Sequence, residues 1–124
     1  MTKVFTSFAA ILGFTGVVFG AFGAHGLKAR FATQPELGAI YQTAAHYHLV
    51  HALALLAVAW ATTRWPGPIA NAAGWCFVGG VLLFSGSLYV LALTGWRALG
   101  AVTPFGGLAL LAGWALLAWA ALRG

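Results

Sequence analysis

Four long runs without a charged side chain, separated by short polar breaks, set the pattern of this chain. They cover about 4–25, 44–62, 70–93 and 102–122. A helix needs roughly 20 mostly apolar residues to cross the hydrocarbon of a bilayer, so each run predicts one membrane-spanning helix. The breaks carry stop and turn signals. Gly26 can end the first helix, and Thr63-Arg64-Trp65-Pro66-Gly67-Pro68 is a strong helix stop. The break 94–101 holds Trp96 and Arg97. Leu27–Gln42 is the longest polar connection, and its Thr33-Gln-Pro-Glu36 has the form of a capping box with Pro35 in the first turn. The second helix therefore starts near Gln34 and runs in from outside the hydrocarbon, or a short interfacial helix bends before Ala44. Thr103-Pro104 reads as cap and first residue of the last helix, or as a kink.

Small residues mark the faces that pack. At about 100° per residue, Ala9, Gly13, Gly16, Gly20 and Gly23 share roughly a quarter of the first helix. Gly16 and Gly20 form a GxxxG pair. Such a stripe lets a second helix approach and gain dispersion contacts that lipid does not supply. In the third run Ala72, Gly79 and Gly86 repeat at seven, as do Ala73, Gly80 and Ser87, and in the fourth Gly106, Gly113 and Ala120 do the same. The packing glycines expected from this pattern are Gly13, Gly16, Gly20, Gly23, Gly79 and Gly86.

Composition narrows the class. Of 124 residues, 62% are hydrophobic and 6% charged, against about 25% charged in soluble domains. Mean hydropathy is +0.94. Too few charges remain to cover a soluble surface, so the fold class expected is an all-α membrane protein, one four-transmembrane-helix antiparallel bundle over residues 1–124. The net charge of +5 comes from scattered single basic residues, which read as membrane-end anchors and not as a nucleic-acid surface. Lys3, the first apolar run and small residues at 21–24 imitate a secretory signal, but the run exceeds the usual core of about 7–15 residues and its glycines suit a retained helix. Cys76 is the single cysteine and excludes an internal disulfide.

Four spans put both termini on one side, with Lys3, Arg64 and Arg123; the other side has Lys28, Arg30 and Arg97, with Glu36. Three basic side chains against three leave the orientation undecided. The polar residues are less even. His25 ends the first span, His46, His48 and His51 begin the second, Ser85, Ser87 and Tyr89 lie late in the third, and Thr103 begins the fourth. All of these map to the face away from the termini.

A polar group in hydrocarbon must find a partner. The candidate ligand-binding set is therefore His25, His48, His51, Ser85, Ser87, Tyr89 and Thr103. Its plainest use is hydrogen bonding between helices. A headgroup or quinone-like ligand is a second use. Metal or haem at His25, His48 and His51 is a third, although no carboxylate, cysteine or metal-binding spacing accompanies the histidines. No catalytic residue emerges: Glu36, the only acid, sits in a connection, so no Ser-His-acid set can be assembled.

Gly20-Ala-Phe-Gly-Ala-His25-Gly-Leu27, Tyr47-His48 with His51-Ala-Leu53, Phe84-Ser-Gly-Ser-Leu-Tyr89, and Thr103-Pro104 with Gly106-Gly107 resemble the domain of unknown function 423 family, small bacterial inner-membrane proteins with eukaryotic relatives called transmembrane protein 256. The resemblance covers nearly the whole chain in order. It implies four helices in the plasma membrane, and both termini in the cytoplasm from basic residues after the second and fourth spans, here Arg64 and Arg123. It implies no biochemical activity. The function expected is a non-enzymatic accessory or small-ligand- or lipid-binding module with no cofactor. The alternatives are a histidine-ligated metal or haem redox protein and an oligomeric small transporter or channel. The transporter reading lacks an ionisable residue near mid-membrane. Membrane lipids, a second copy or another membrane protein are the expected partners.

Overall fold

A computed structural model describes residues 1–124. The apolar runs form four long helices: α1 (Thr2–His25), α3 (Pro35–Arg64), α4 (Pro68–Thr94) and α5 (Thr103–Arg123). A short α2 (Lys28–Thr33) precedes α3, and a 3-10 turn (Arg97–Ala101) precedes α5. The four long elements, the last counted with its 3-10 turn, are each long and apolar enough to cross a membrane. Consecutive long helices run antiparallel, α1 against α3, α3 against α4 and α4 against α5. The central pair α3 and α4 is half buried, whereas α1 and α5 are buried over less than a quarter of their apolar windows. The bundle is thus a row with α3 and α4 inside and α1 and α5 as flanks.

Helix α3 runs unbroken for 30 residues, about 45 Å, so it enters from outside the hydrocarbon without a bend before Ala44. The capping box does not form. Thr33 Oγ1 donates back to the Arg30 carbonyl at 2.9 Å, and Glu36 pairs with Arg97 at 2.9 Å. Pro35 fills the first turn of α3, where its missing N–H costs no bond. Thr103 is likewise not a cap. Its hydroxyl meets Ser87 and the Leu99 carbonyl instead. Gly95 closes α4 at φ +75°, with its N–H on the Leu91 carbonyl at 2.7 Å.

The seams between helices use one small residue in seven. On α1, Ala9 and Gly16 are buried, and Gly23 meets the Tyr41 ring. A Cβ at Gly16 would strike Leu49, and one at Gly23 would overlap Tyr41. On α5, a Cβ at Gly106 would run into the Phe84 backbone, and one at Gly113 into the Phe77 ring. Gly80 faces Leu110, and Gly74 faces Phe5.

The glycine assignment is corrected at four places. Gly13, Gly20, Gly79 and Gly86 have nothing within 4 Å of a built Cβ. On α1 the buried line passes through Phe5, Ala9, Leu12 and Gly16, and Gly13 and Gly20 stand beside it; on α4 a step of one residue, about 100°, turns Gly79 and Gly86 off the buried line. The GxxxG pair is therefore split, with Gly16 in the seam and Gly20 beside it. On α4 the seam runs through Ala73, Gly80 and Ser87, not through Ala72, Gly79 and Gly86.

Two cores result. The larger joins Phe5, Leu12, Leu55, Val58, Phe77 and Leu110. The smaller, at the end away from the termini, joins Tyr41, Ala44, Tyr89 and Ala92, covered by Leu27 and Phe31. The polar side chains of the spans are placed along the second half.

Candidate functional site

His48 and His51 lie three apart on α3 and are each 4% exposed, yet they serve different seams. His48 turns toward α1 and α4. Its Nδ1 is 2.9 Å from the Tyr89 hydroxyl and its Nε2 is 3.0 Å from Thr15 Oγ1. Thr15 donates its own proton to the Ile11 carbonyl at 2.9 Å. The bonds therefore have one direction that satisfies every group. Tyr89 O–H donates to Nδ1, Nε2–H donates to Thr15, and Thr15 donates to the backbone. Three helices are tied by one imidazole.

His51 turns toward α5. Trp114 Nε1–H, which can only donate, points at Nε2 at 3.0 Å. The Tyr47 carbonyl, which can only accept, is 2.8 Å from Nδ1. His51 is thus a neutral imidazole carrying its proton on Nδ1, the opposite tautomer from His48. Phe77 and Trp114 enclose the ring, with centroids 5.5 and 5.8 Å away, and Tyr47 stacks parallel to it at 5.9 Å.

The hydroxyls behave in the same way. Ser85 donates from α4 to the Ala44 carbonyl of α3 at 2.8 Å. Ser87 and Thr103 meet across α4 and α5 at 2.6 Å. Tyr41 donates to the Phe19 carbonyl of α1. No buried side-chain nitrogen or oxygen lacks a partner. Polar atoms are not confined to this half of the bundle, because Thr2 and Thr62 bond across α1 and α3 at 2.9 Å near the termini.

The structure brings six of the seven candidate residues into the packed spans, but as separate bonds and not around one centre. His25, the last residue of α1, is exposed and joins none of them. The helix continues to this residue, which carries its side chain off the buried face. His46 is also exposed, its ring edge-on to Tyr47 at 5.9 Å. No three His, Cys, Asp or Glu side chains converge. Both nitrogens of His48 and of His51 are already bonded within the protein, so neither offers a free lone pair. The residues do not fit a metal or haem axial site.

Three partners were not anticipated: Thr15, Tyr41 and Trp114. Trp114 had a readable signal. It lies mid-span, away from the interfaces where tryptophan is at home, so its N–H had to find an acceptor inside the bundle. Thr15 gave none, because a threonine in a membrane helix satisfies itself on its own backbone equally well.

One groove adjoins these bonds. It holds about 530 Å³ between α3, α4 and α5, and is bounded by Tyr47, His51, Phe84, Gly107, Leu111 and Trp114. Its lining is overwhelmingly apolar, and Tyr47, whose hydroxyl makes no hydrogen bond within the protein, is part of it.

The family model described as "Protein of unknown function (DUF423)" matches residues 19–107. The chain belongs to the DUF423 family. It is 39% identical over 122 residues to the UPF0382 membrane protein YwdK of Bacillus subtilis, covering 98% of each chain. It is 46% identical over 119 residues to the UPF0382 inner membrane protein YgdD of Escherichia coli K12, covering 94% of this chain and 87% of that one. A UPF0382 membrane protein of Staphylococcus haemolyticus is 40% identical over 115 residues, covering 93% of this chain and 92% of the relative. No solved structure matches.

This DUF423 protein is an integral membrane protein with four spans. The matched stretch contains His25, His48, His51, Ser85, Ser87, Tyr89 and Thr103. Thr15 and Trp114, the outer partners of the two buried histidines, lie beyond its ends.

Proposed function

We propose that this DUF423 protein is a non-enzymatic accessory module of the bacterial inner membrane that holds a lipid chain in the groove along α5. The groove beside His51 carries the reading: a volume of about 530 Å³, within the range of small-molecule sites, on a protein surface that lipid surrounds. Tyr47 brings to the lining a hydroxyl that no protein group uses, and it suits an ester or carbonyl oxygen. His51 acts from behind, as a wall fixed by Trp114 and Tyr47 and not as a reagent. Glu36 is exposed and bound to Arg97, so no acid stands near the groove to do proton chemistry.

The relatives' names support the inner membrane as the location. The basic side chains divide three against three, so the cytoplasmic termini of this reading rest on the family resemblance, which has basic residues after the second and fourth spans, here Arg64 and Arg123; the histidine half then lies in the outer leaflet.

Substituting Gly107→Leu tests the binding. The position has room, with Phe84 ring atoms 3.7 and 3.8 Å from a built Cβ, so the side chain enters the groove without striking backbone. Native mass spectrometry of gently purified protein should show bound lipid in the parent and less in G107L at unchanged helicity. Equal retention in both would end the groove reading.

A further inference from the structure

At the end that carries both termini, a second cavity of about 470 Å³ opens between α3, α4 and α5. Arg64, the last residue of α3, and Arg123, the last of α5, both line it, with Trp65, Ile69 and Ala120 as its apolar floor. We propose that this cavity binds the phosphate group of an anionic membrane phospholipid.

The charge balance points there first. The protein has one acid, Glu36, and it is taken by Arg97 at the opposite end. Neither Arg64 nor Arg123 has a carboxylate within ion-pair distance, since Glu36–Arg97 is the one salt bridge. Two arginines line one concavity that holds no acidic side chain, so both gain from a shared anion. Arginine meets phosphate oxygens with paired N–H donors, so the match is geometric as well as electrostatic.

Backbone donors add to it. Gly67 takes φ +140°, a conformation open to glycine, and lets the chain reverse between Trp65 and Pro68. The first helical bond of α4 runs from Asn71 N–H to the Gly67 carbonyl, which leaves the N–H groups of Ile69 and Ala70 without helical acceptors at the cavity wall.

The surroundings select a lipid over a free ion. Trp60, Trp65 and Trp119 mark this end as an interfacial belt. Arg123 is held over the Trp119 ring at 5.9 Å, which places its charge at headgroup level. Trp65 also lines a wholly apolar groove between α3 and α5 with Trp60, Leu117 and Ala121, which acyl chains would follow from the phosphate. This site stands apart from the groove beside His51, and neither depends on the other.

The test uses the full chain in neutral detergent, titrated with phosphatidylglycerol, with phosphatidylcholine and with inorganic phosphate, and read by native mass spectrometry. Phosphatidylglycerol should bind in preference to phosphatidylcholine, and the R64Q/R123Q variant should bind it about tenfold more weakly, as expected for lost charge-assisted bonds. The control K28Q/R97Q removes the same charge from the other end and should keep the preference. R64K/R123K, which retains charge but not the paired donors, should fall between, at unchanged helicity. An equal loss in the control variant would show general charge attraction and overturn the site. Inorganic phosphate bound as tightly as phosphatidylglycerol would overturn the lipid assignment.

Discussion

Trp114 Nε1 of α5 donates to His51 Nε2 of α3 at 3.0 Å, joining two helices that otherwise touch little because α4 lies between most of their length. The bond explains why a buried imidazole is tolerated at all. An unpartnered ring nitrogen in hydrocarbon would cost free energy, and Trp114 and the Tyr47 carbonyl remove both liabilities at once.

Removing either partner should therefore loosen α5. W114F and H51L should each destabilise the protein by about 0.6 kcal/mol, up to roughly 1.7, the range measured for such bonds in membrane proteins. The double variant should cost less than the sum of the singles, because the second substitution finds the bond already gone. Unfolding in mixed micelles, followed by circular dichroism, measures all three. Strict additivity would show that the two side chains do not cooperate.

The seams make a sharper contrast among glycines that look alike in sequence. Gly106→Ala should destabilise by about 1–3 kcal/mol, since the new methyl would enter the Phe84 backbone and α5 must move out. Gly79→Ala should stay within about 0.5 kcal/mol of the parent, because nothing stands in its way. Parallel melts of the two variants in one detergent decide it, and equal losses would place the helix interface elsewhere.

Which of these features could be read from the chain follows from the length scale of each signal. Four apolar runs of about twenty residues can hardly be anything but four spans, because the bilayer sets that length. The end at which His48, Ser85 and Tyr89 collect followed from counting spans. Which glycines touch did not, because Gly79 and Gly80 are neighbours in sequence and a rotation of one residue, about 100°, decides which enters the seam. The same limit applied to the histidines. Positions 48 and 51 share a face in projection, yet the small angle between them sends one to Thr15 and the other to Trp114. The capping signal at Thr33 failed because two other partners, the Arg30 carbonyl and Arg97, took the groups it required.

A three-helix tie should be weaker at each of its ends than at its middle. Y89F and T15V each remove one bond of His48 and should each cost about 1 kcal/mol. H48L removes both and leaves the Tyr89 hydroxyl buried, so it should cost more than either. Chemical unfolding of the three variants checks the order, and an H48L as stable as Y89F would break the proposed chain.

The location of the histidine half can be read in cells. With the half-buried Cys76 replaced by Ala, a cysteine introduced at Gly100 in the α4–α5 connection should react with an impermeant maleimide in intact cells. A cysteine at the exposed Pro66 in the α3–α4 turn should react only after permeabilisation. The reverse pattern would invert the orientation.

The account rests on two buried imidazoles used as fasteners, each committed to its own partners. Nitrogen-15 NMR of histidine side chains in lipid bilayers reads this directly. His48 should carry its proton on Nε2 and His51 on Nδ1, both neutral, because Trp114 can only donate and Thr15 is already donating to Ile11. Two identical tautomers, a charged ring, or a nitrogen shifted by bonding to a metal would contradict it.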